Sequence, residues 1–151
     1  MPEGADATTE LSREHAEIEK LVLRIATLEP CPERTLLVRD ATSRFLTHAQ
    51  AEERYLLPAF RRYLPGGDRE AVEQERRVQD MRATVEGIEH SGDDDEFNAL
   101  VGGFVLDVQR HIERQDAVLL PALFDAAPRE EVNHIGRQVR HALKTERDGP
   151  R

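Results

Sequence analysis

Two matched segments constrain this chain more than anything else in it. His48 to Pro58 and His111 to Pro121 each run ten residues from histidine to proline. Between those anchors Glu52 matches Gln115, Glu53 matches Asp116, Leu57 matches Leu120 and Ala59 matches Ala122. On an α-helix, residues four apart differ by about 40° and one turn of rise, so His48 and Glu52 share a face. The preceding segments align as well: His15, Ile18, Leu21, Ile25 and Leu28 are set against Glu75, Val78, Met81, Val85 and Ile88. Each half therefore reads as a short helix followed by a long one. Two such hairpins bury their apolar stripes against each other as an all-α, up-down-up-down four-helix bundle.

The breaks fit that reading. Glu29-Pro30-Cys31-Pro32-Glu33 ends the first helix, with Pro32 suited to the first turn of the second. The second runs from about residue 33 to 63, with a kink expected at 54–58 from Pro58. Leu64-Pro65-Gly66-Gly67-Asp68 is a turn, and the third helix follows over 68–89. The acidic loop His90 to Glu96 favours the N-terminus of a fourth helix over 96–124, where Gly102 and Gly103 weaken the helix or permit close contact. A short C-terminal helix carries Val132, Ile135, Val139 and Leu143 on one side. It packs across the bundle or offers residues 128–145 to a protein partner. The expected domain spans 9–145, with Thr8 or Thr9 capping the first helix and 1–8 a flexible tail.

His15, His48, Glu75 and His111 then come from four helices and share one inward layer, with Glu52 and Gln115 one turn beyond two of them. Inward polar groups are costly unless something satisfies them all. Two metal ions would do so through nitrogen and carboxylate ligands. A buried polar network without metal is the other reading of the same layer. Tyr55 and Gln79 are candidates for hydrogen bonds to the ligands, with core-edge packing the competing reading for Tyr55. His90, His134 and His141 read as exposed. No catalytic residue is assigned, and no organic-substrate pocket is evident.

Composition narrows the function classes. A net charge of -9 disfavours nucleic acid and anionic membrane surfaces. No apolar run approaches the roughly 20 residues that span a bilayer. The first residues lack the basic and apolar regions of a secretory signal, and Cys31 has no second cysteine to pair with. The expected location is cytoplasmic.

These residues resemble the hemerythrin-like proteins with histidine–histidine–glutamate cation-binding domains. Glu14-His15 is similar to that family's opening motif. Phe45-x-x-His48-x-x-x-Glu52-Glu53-x-x-Leu56-Leu57-Pro58 is similar to its second-helix motif, and His111-x-x-x-Gln115-Asp116-x-x-Leu119-Leu120-Pro121 to its fourth. The resemblance covers about residues 10–126. It implies two non-heme iron ions with an oxo or hydroxo bridge, ligated by His15, His48, Glu52 as the bridge, and His111. It also implies a small partner: dioxygen, nitric oxide or peroxide. The sequence departs from the motif at Glu75, where histidine is expected, and at Gln115, where a carboxylate is. Glu75 as a direct ligand, with Asp116 reaching inward, would give an oxygen-rich set suited to oxidised iron or manganese. Occupancy by one metal or none is the alternative. A sensor or interaction module without catalysis, and a degenerate metal-free bundle, are the competing functions.

Overall fold

Apolar residues at alternating spacings of three and four build nearly the whole chain into helices. The computed structural model describes residues 7–148, and the surroundings of side chains from 9 to 145. Residues 1–6 of the expected tail lie outside the described residues, and Ala7 and Thr8 already belong to the first helix. The elements are α1 (Ala7–Thr27), α2 (Pro32–Ala51), a π-helical turn π1 (Glu52–Leu56), α3 (Leu57–Tyr63), α4 (Gly67–His90), α5 (Asp94–Arg114), a second π turn π2 (Gln115–Leu119), α6 (Leu120–Ala126) and α7 (Arg129–Asp148). Among the described residues there is no strand, and no helix is long and apolar enough to cross a membrane.

Local chemistry sets the ends. Cys31 caps α2, its Sγ accepting from the Arg34 N–H at 3.4 Å, and Pro32 occupies the first turn. Asp93 caps α5 by accepting from the Asp95 N–H at 3.1 Å. The α3–α4 turn needs both of its glycines. Gly66 has φ 70°, and a Cβ on Gly67 would lie 1.8 Å from the Phe60 carbonyl oxygen. Gly102 and Gly103 face open space, so their absent side chains serve no close helix contact.

The expected kink at Pro58 takes the form of π1. The Leu57 N–H reaches back five residues to the Glu52 carbonyl, and the Leu120 N–H does the same to Gln115. An interior proline loses one N–H and its ring crowds the carbonyl four residues back. One wider turn ahead of each proline relieves both. The matched prolines thus produce matched π turns, and each turn begins at a residue of the polar layer.

Packing pairs α1 with α2, α5 and α7, and α4 with α3 and α5. Two hydrophobic clusters fill the interior. One gathers Ile18, Val22, Phe45, Val85, Phe104 and Val108 with their neighbours. The other holds Leu11, Leu56, Phe60, Leu120 and Leu123 together with Val132, Ile135, Val139 and Leu143 of α7. The apolar face of α7 is therefore buried within the chain, beside α1 and π1. Between the two clusters lies a buried polar layer: His15, His48, Glu52, Gln74, His111 and Gln115.

The inward face of α4 corrects the sequence alignment of the two halves. His48 and His111 are 63 positions apart, and so are Glu52 and Gln115. Carried into the first helices, that separation sets Leu11, His15, Ile18, Val22 and Ile25 against Gln74, Val78, Met81, Val85 and Ile88, and all ten are buried. The counterpart of His15 is thus Val78. Setting it at Glu75 shifts the register by three residues: Val78, Met81, Val85 and Ile88 face inward as expected, and Glu75 does not. Val72, three residues before Glu75 and on the same side of the helix, is 55% exposed.

Candidate metal centre

Four residues converge in the polar layer. α1 supplies His15, α2 supplies His48, π1 supplies Glu52 and α5 supplies His111. One ligand atom from each lies within 4.8 Å of all the others. His48 Nε2 is 2.6 Å from Glu52 Oε2, and His111 Nε2 is 3.0 Å from Glu52 Oε1. His15 Nε2 stands 3.0 Å from His48 Nε2 and 3.4 Å from Glu52 Oε2. Phe45 covers the group from the side of the larger cluster, its ring centroid 5.3 Å from that of His111.

Three imidazole nitrogens and one carboxylate, all turned toward one point, form a donor set for a transition-metal ion. The second nitrogen of His15 completes the arrangement. Its Nδ1–H donates to Asp116 Oδ1 at 2.8 Å, which leaves Nε2 as the lone-pair atom of the neutral ring. The Asp116 carboxylate is 36% exposed and joins His15 to the surface. His48 Nδ1 is buried with no hydrogen-bond partner, so this ring too has only Nε2 engaged.

Electrostatics follow from burial and from Glu52. Burial works to lower the His15 pKa, but the hydrogen bonds to Asp116 and Glu52 and their negative charge outweigh it and push it up to about 9. Complete burial pushes His48 down, against the pull of Glu52. Burial alone would raise the Glu52 carboxyl; the adjoining His48 and His111 instead hold it well below the usual carboxylate range. Without a metal, His15 holds its proton at neutral pH beside the Glu52 carboxylate.

A family model described as the hemerythrin HHE cation binding domain matches residues 2–123 of the chain. The chain belongs to this hemerythrin HHE cation-binding family. Comparison with curated proteins and with solved structures returns no match. The match ends within α6, so α7 lies beyond the matched hemerythrin segment.

The remaining candidates of this hemerythrin-family chain fall elsewhere. Glu75 is turned away from the cluster, with its carboxylate 3.3 Å from Arg61 Nη2. One position earlier, a helical rotation of about 100° puts Gln74 inward instead. Gln79 is exposed on the outer face of α4, so the expectation that it supports the ligands is corrected as well. Tyr55 packs against the cluster shared with α7, under the Arg54 guanidinium. Asp116 bonds the far nitrogen of His15, and Gln115 is fully buried beside the site. Gln115 Nε2 donates to Gln74 Oε1 at 3.1 Å, while Gln115 Oε1 is buried with no partner. Gln74 in turn reaches Glu70, which Arg114 binds at 2.8 Å. Gln74 was legible only through the uniform 63-residue register, which sets it opposite the buried Leu11. His90 and His134 are exposed, as is His141.

Two outcomes follow for metal content. Glu75→Ala leaves the bound metal unchanged, measured by elemental analysis of purified protein; a drop would place Glu75 among the ligands. Asp116→Ala removes the acceptor that fixes the His15 ring, and metal affinity falls by roughly 10–100-fold. A competition titration with a chelator reads that change, and an unaltered affinity would show that the His15–Asp116 bond does not orient the ligand.

Proposed function

We propose that α1, the run from α2 to α3, α4 and the run from α5 to α6 form an up-down-up-down four-helix bundle, and that it holds one iron ion for a small ligand. His15, His48, Glu52 and His111 hold the ion. The observation that carries this reading is the convergence of those four donors within 4.8 Å. Iron bound there would supply an open coordination position for dioxygen, nitric oxide or peroxide.

The donor count favours one ion over the two that the hemerythrin resemblance implies. Dinuclear carboxylate centres in helix bundles use six ligating residues, two of them histidines. Here the 63-residue register sets Val78 and Gln115 against His15 and Glu52, with Gln74 buried beside Gln115. Val78 has no donor atom, and the two amides are hydrogen-bonded to each other. Asp116 is engaged with His15.

The chain's own residues have clear tasks at such a site. Glu52 supplies the negative charge next to three imidazoles. Asp116 keeps a proton on His15 Nδ1, so that Nε2 faces the ion. Phe45 and the larger hydrophobic cluster keep bulk water from that side. Gln115 Oε1 is a free acceptor in the layer, able to take a hydrogen bond from a protonated small ligand.

Anaerobic titration of the ferrous-loaded protein with nitric oxide tests the proposal. The expected result is a saturable absorption change ending at one nitric oxide per iron. Iron that binds without any change on adding nitric oxide would overturn the ligand-binding role.

A sensing role is the second reading, and one observation favours it. α7 packs directly on π1, the turn that carries Glu52. Movement of Glu52 on metal or ligand binding would be felt at α7, whose outer face is available to a partner. Metal-dependent change in hydrogen exchange over 129–145, without turnover of peroxide, separates this reading from catalysis.

A further inference from the structure

The four donors are not equally enclosed. His15 and His48 are 0% exposed and Glu52 is 2% exposed, while His111 is 6% exposed. His111 also lines a cavity of about 320 Å³ between α4 and α5, together with Arg77, Asp80, Met81, Asp107 and Arg110. Two other cavities miss the donors. One of about 470 Å³ on the α1–α5 side reaches Asp116, which touches the far nitrogen of His15. A larger cleft of about 600 Å³, lined by α2, α4 and Phe97 of α5, includes none of the four.

We infer that the metal ion and its small ligand reach the site between α4 and α5, through a mouth in which Met81 is the moving part. This rests on the metal-binding reading above. The rim carries two guanidinium groups and two carboxylates, so it has no formal net charge. Two of these groups are tied to the outer face of α4: Asp80 lies 3.1 Å from Arg76, and Arg77 3.0 Å from Glu73. Such a rim attracts water without selecting strongly by sign, and it admits a cation and a small neutral molecule alike.

Met81 is the most deeply buried member of the lining, 3% exposed against 6% for His111. Its unbranched side chain has three rotatable bonds and yields at low cost. The 63-residue register gives a comparison within the same chain. The counterpart of Met81 is Ile18 on α1, fully buried and branched at Cβ, hence stiff at χ1. At this equivalent position the halves carry an adaptable residue on the side with a cavity beside a donor, and a rigid one on the side whose donors are closed.

The test follows uptake of Co²⁺ by the metal-free protein, read as visible absorption in a stopped-flow instrument, with end-point metal content measured separately. Met81→Ile is close in volume and is expected to fold. It slows uptake several-fold while the final Co²⁺ content is unchanged. A second variant, Asp80→Lys with Asp107→Lys, alters only the rim. It slows uptake by about tenfold at low salt, and the difference disappears at high salt. Glu19→Lys with Glu113→Lys makes the same charge change at the α1–α5 cavity and has a smaller effect. Normal uptake rates in Met81→Ile, or equal effects from the two charge-reversed pairs, would overturn the entry route while leaving the metal site intact. Failure of the unmodified protein to take up Co²⁺ would overturn both.

Discussion

Replacing Glu52 by glutamine is expected to abolish tight metal binding and to weaken the metal-free fold. Glu52 is the acceptor shared by His48, His111 and His15, at 2.6, 3.0 and 3.4 Å. It is also the one carboxylate inside the donor set. Breaking a buried charged pair by removing one partner costs about 3–5 kcal/mol, because the other charge stays behind without compensation. Here the charge left behind is the His15 imidazolium, which keeps only the part-exposed Asp116, at 2.8 Å, as its partner. For a domain of this size that corresponds to a fall in melting temperature of about 10 °C. The loss of a ligand exceeds the 10–100-fold that supporting residues typically contribute to metal affinity. Calorimetry of the metal-free variant and elemental analysis of the reconstituted one read the two effects. A melting temperature within a degree of the unmodified protein would show that Glu52 does not balance the histidines.

The metal-free protein is expected to lose stability as pH rises from 6.5 to 9, and the metal-loaded protein is not. The folded chain holds the His15 proton up to about 9, whereas an ordinary histidine releases it near 6.5. Between those values the folded state binds more protons than the unfolded one, so stability falls with rising pH. The contribution is full below 6.5 and gone above 9, and amounts to about 3 kcal/mol. His48 and Glu52 act on the acid side. Both are held below their ordinary values, so both remove stability as pH falls, His48 below about 6.5 and Glu52 below about 4.5. The metal-free protein is therefore most stable near neutral pH. A bound ion needs the His15 Nε2 lone pair, so binding below pH 9 releases that proton and the alkaline loss disappears. Melting temperatures of both forms between pH 6.5 and 9.5 check this. A flat profile for the metal-free protein would contradict the charge assigned to His15.

Much of this was legible in the residues because helices advertise themselves. Apolar spacing, Pro30, Pro32 and the Pro65-Gly66-Gly67 turn placed the helix ends within a few residues, and His48 to Pro58 announced a turn of special geometry. The form of that geometry was not legible, since a π turn and a kinked α-turn answer the same proline problem. The inward face of α4 was legible at Val78, Met81, Val85 and Ile88 but misplaced at its start, for a sharper reason. Glu75 is the more conspicuous residue, yet a shift of one position rotates a side chain by about 100°. Gln74, a neutral amide, has no spacing signature of its own. Asp116 carried a recognisable signal, a carboxylate beside the matched Gln115. Its bond to His15 depends on α1 lying against α5, which local spacing does not encode. The C-terminal segment was amphipathic on its face; that α7 covers the turn bearing Glu52 is a tertiary fact.

The central claim is a single ion held by His15, His48, Glu52 and His111. Its most direct test is the stoichiometry of the metal-free protein after anaerobic reconstitution with excess ferrous iron and removal of unbound metal. One iron per chain is the predicted result, lost in Glu52→Gln and kept in Glu75→Ala. Two irons per chain would show that Gln74, Gln115 and Asp116 complete a second site, and none would show that the polar layer stands without metal.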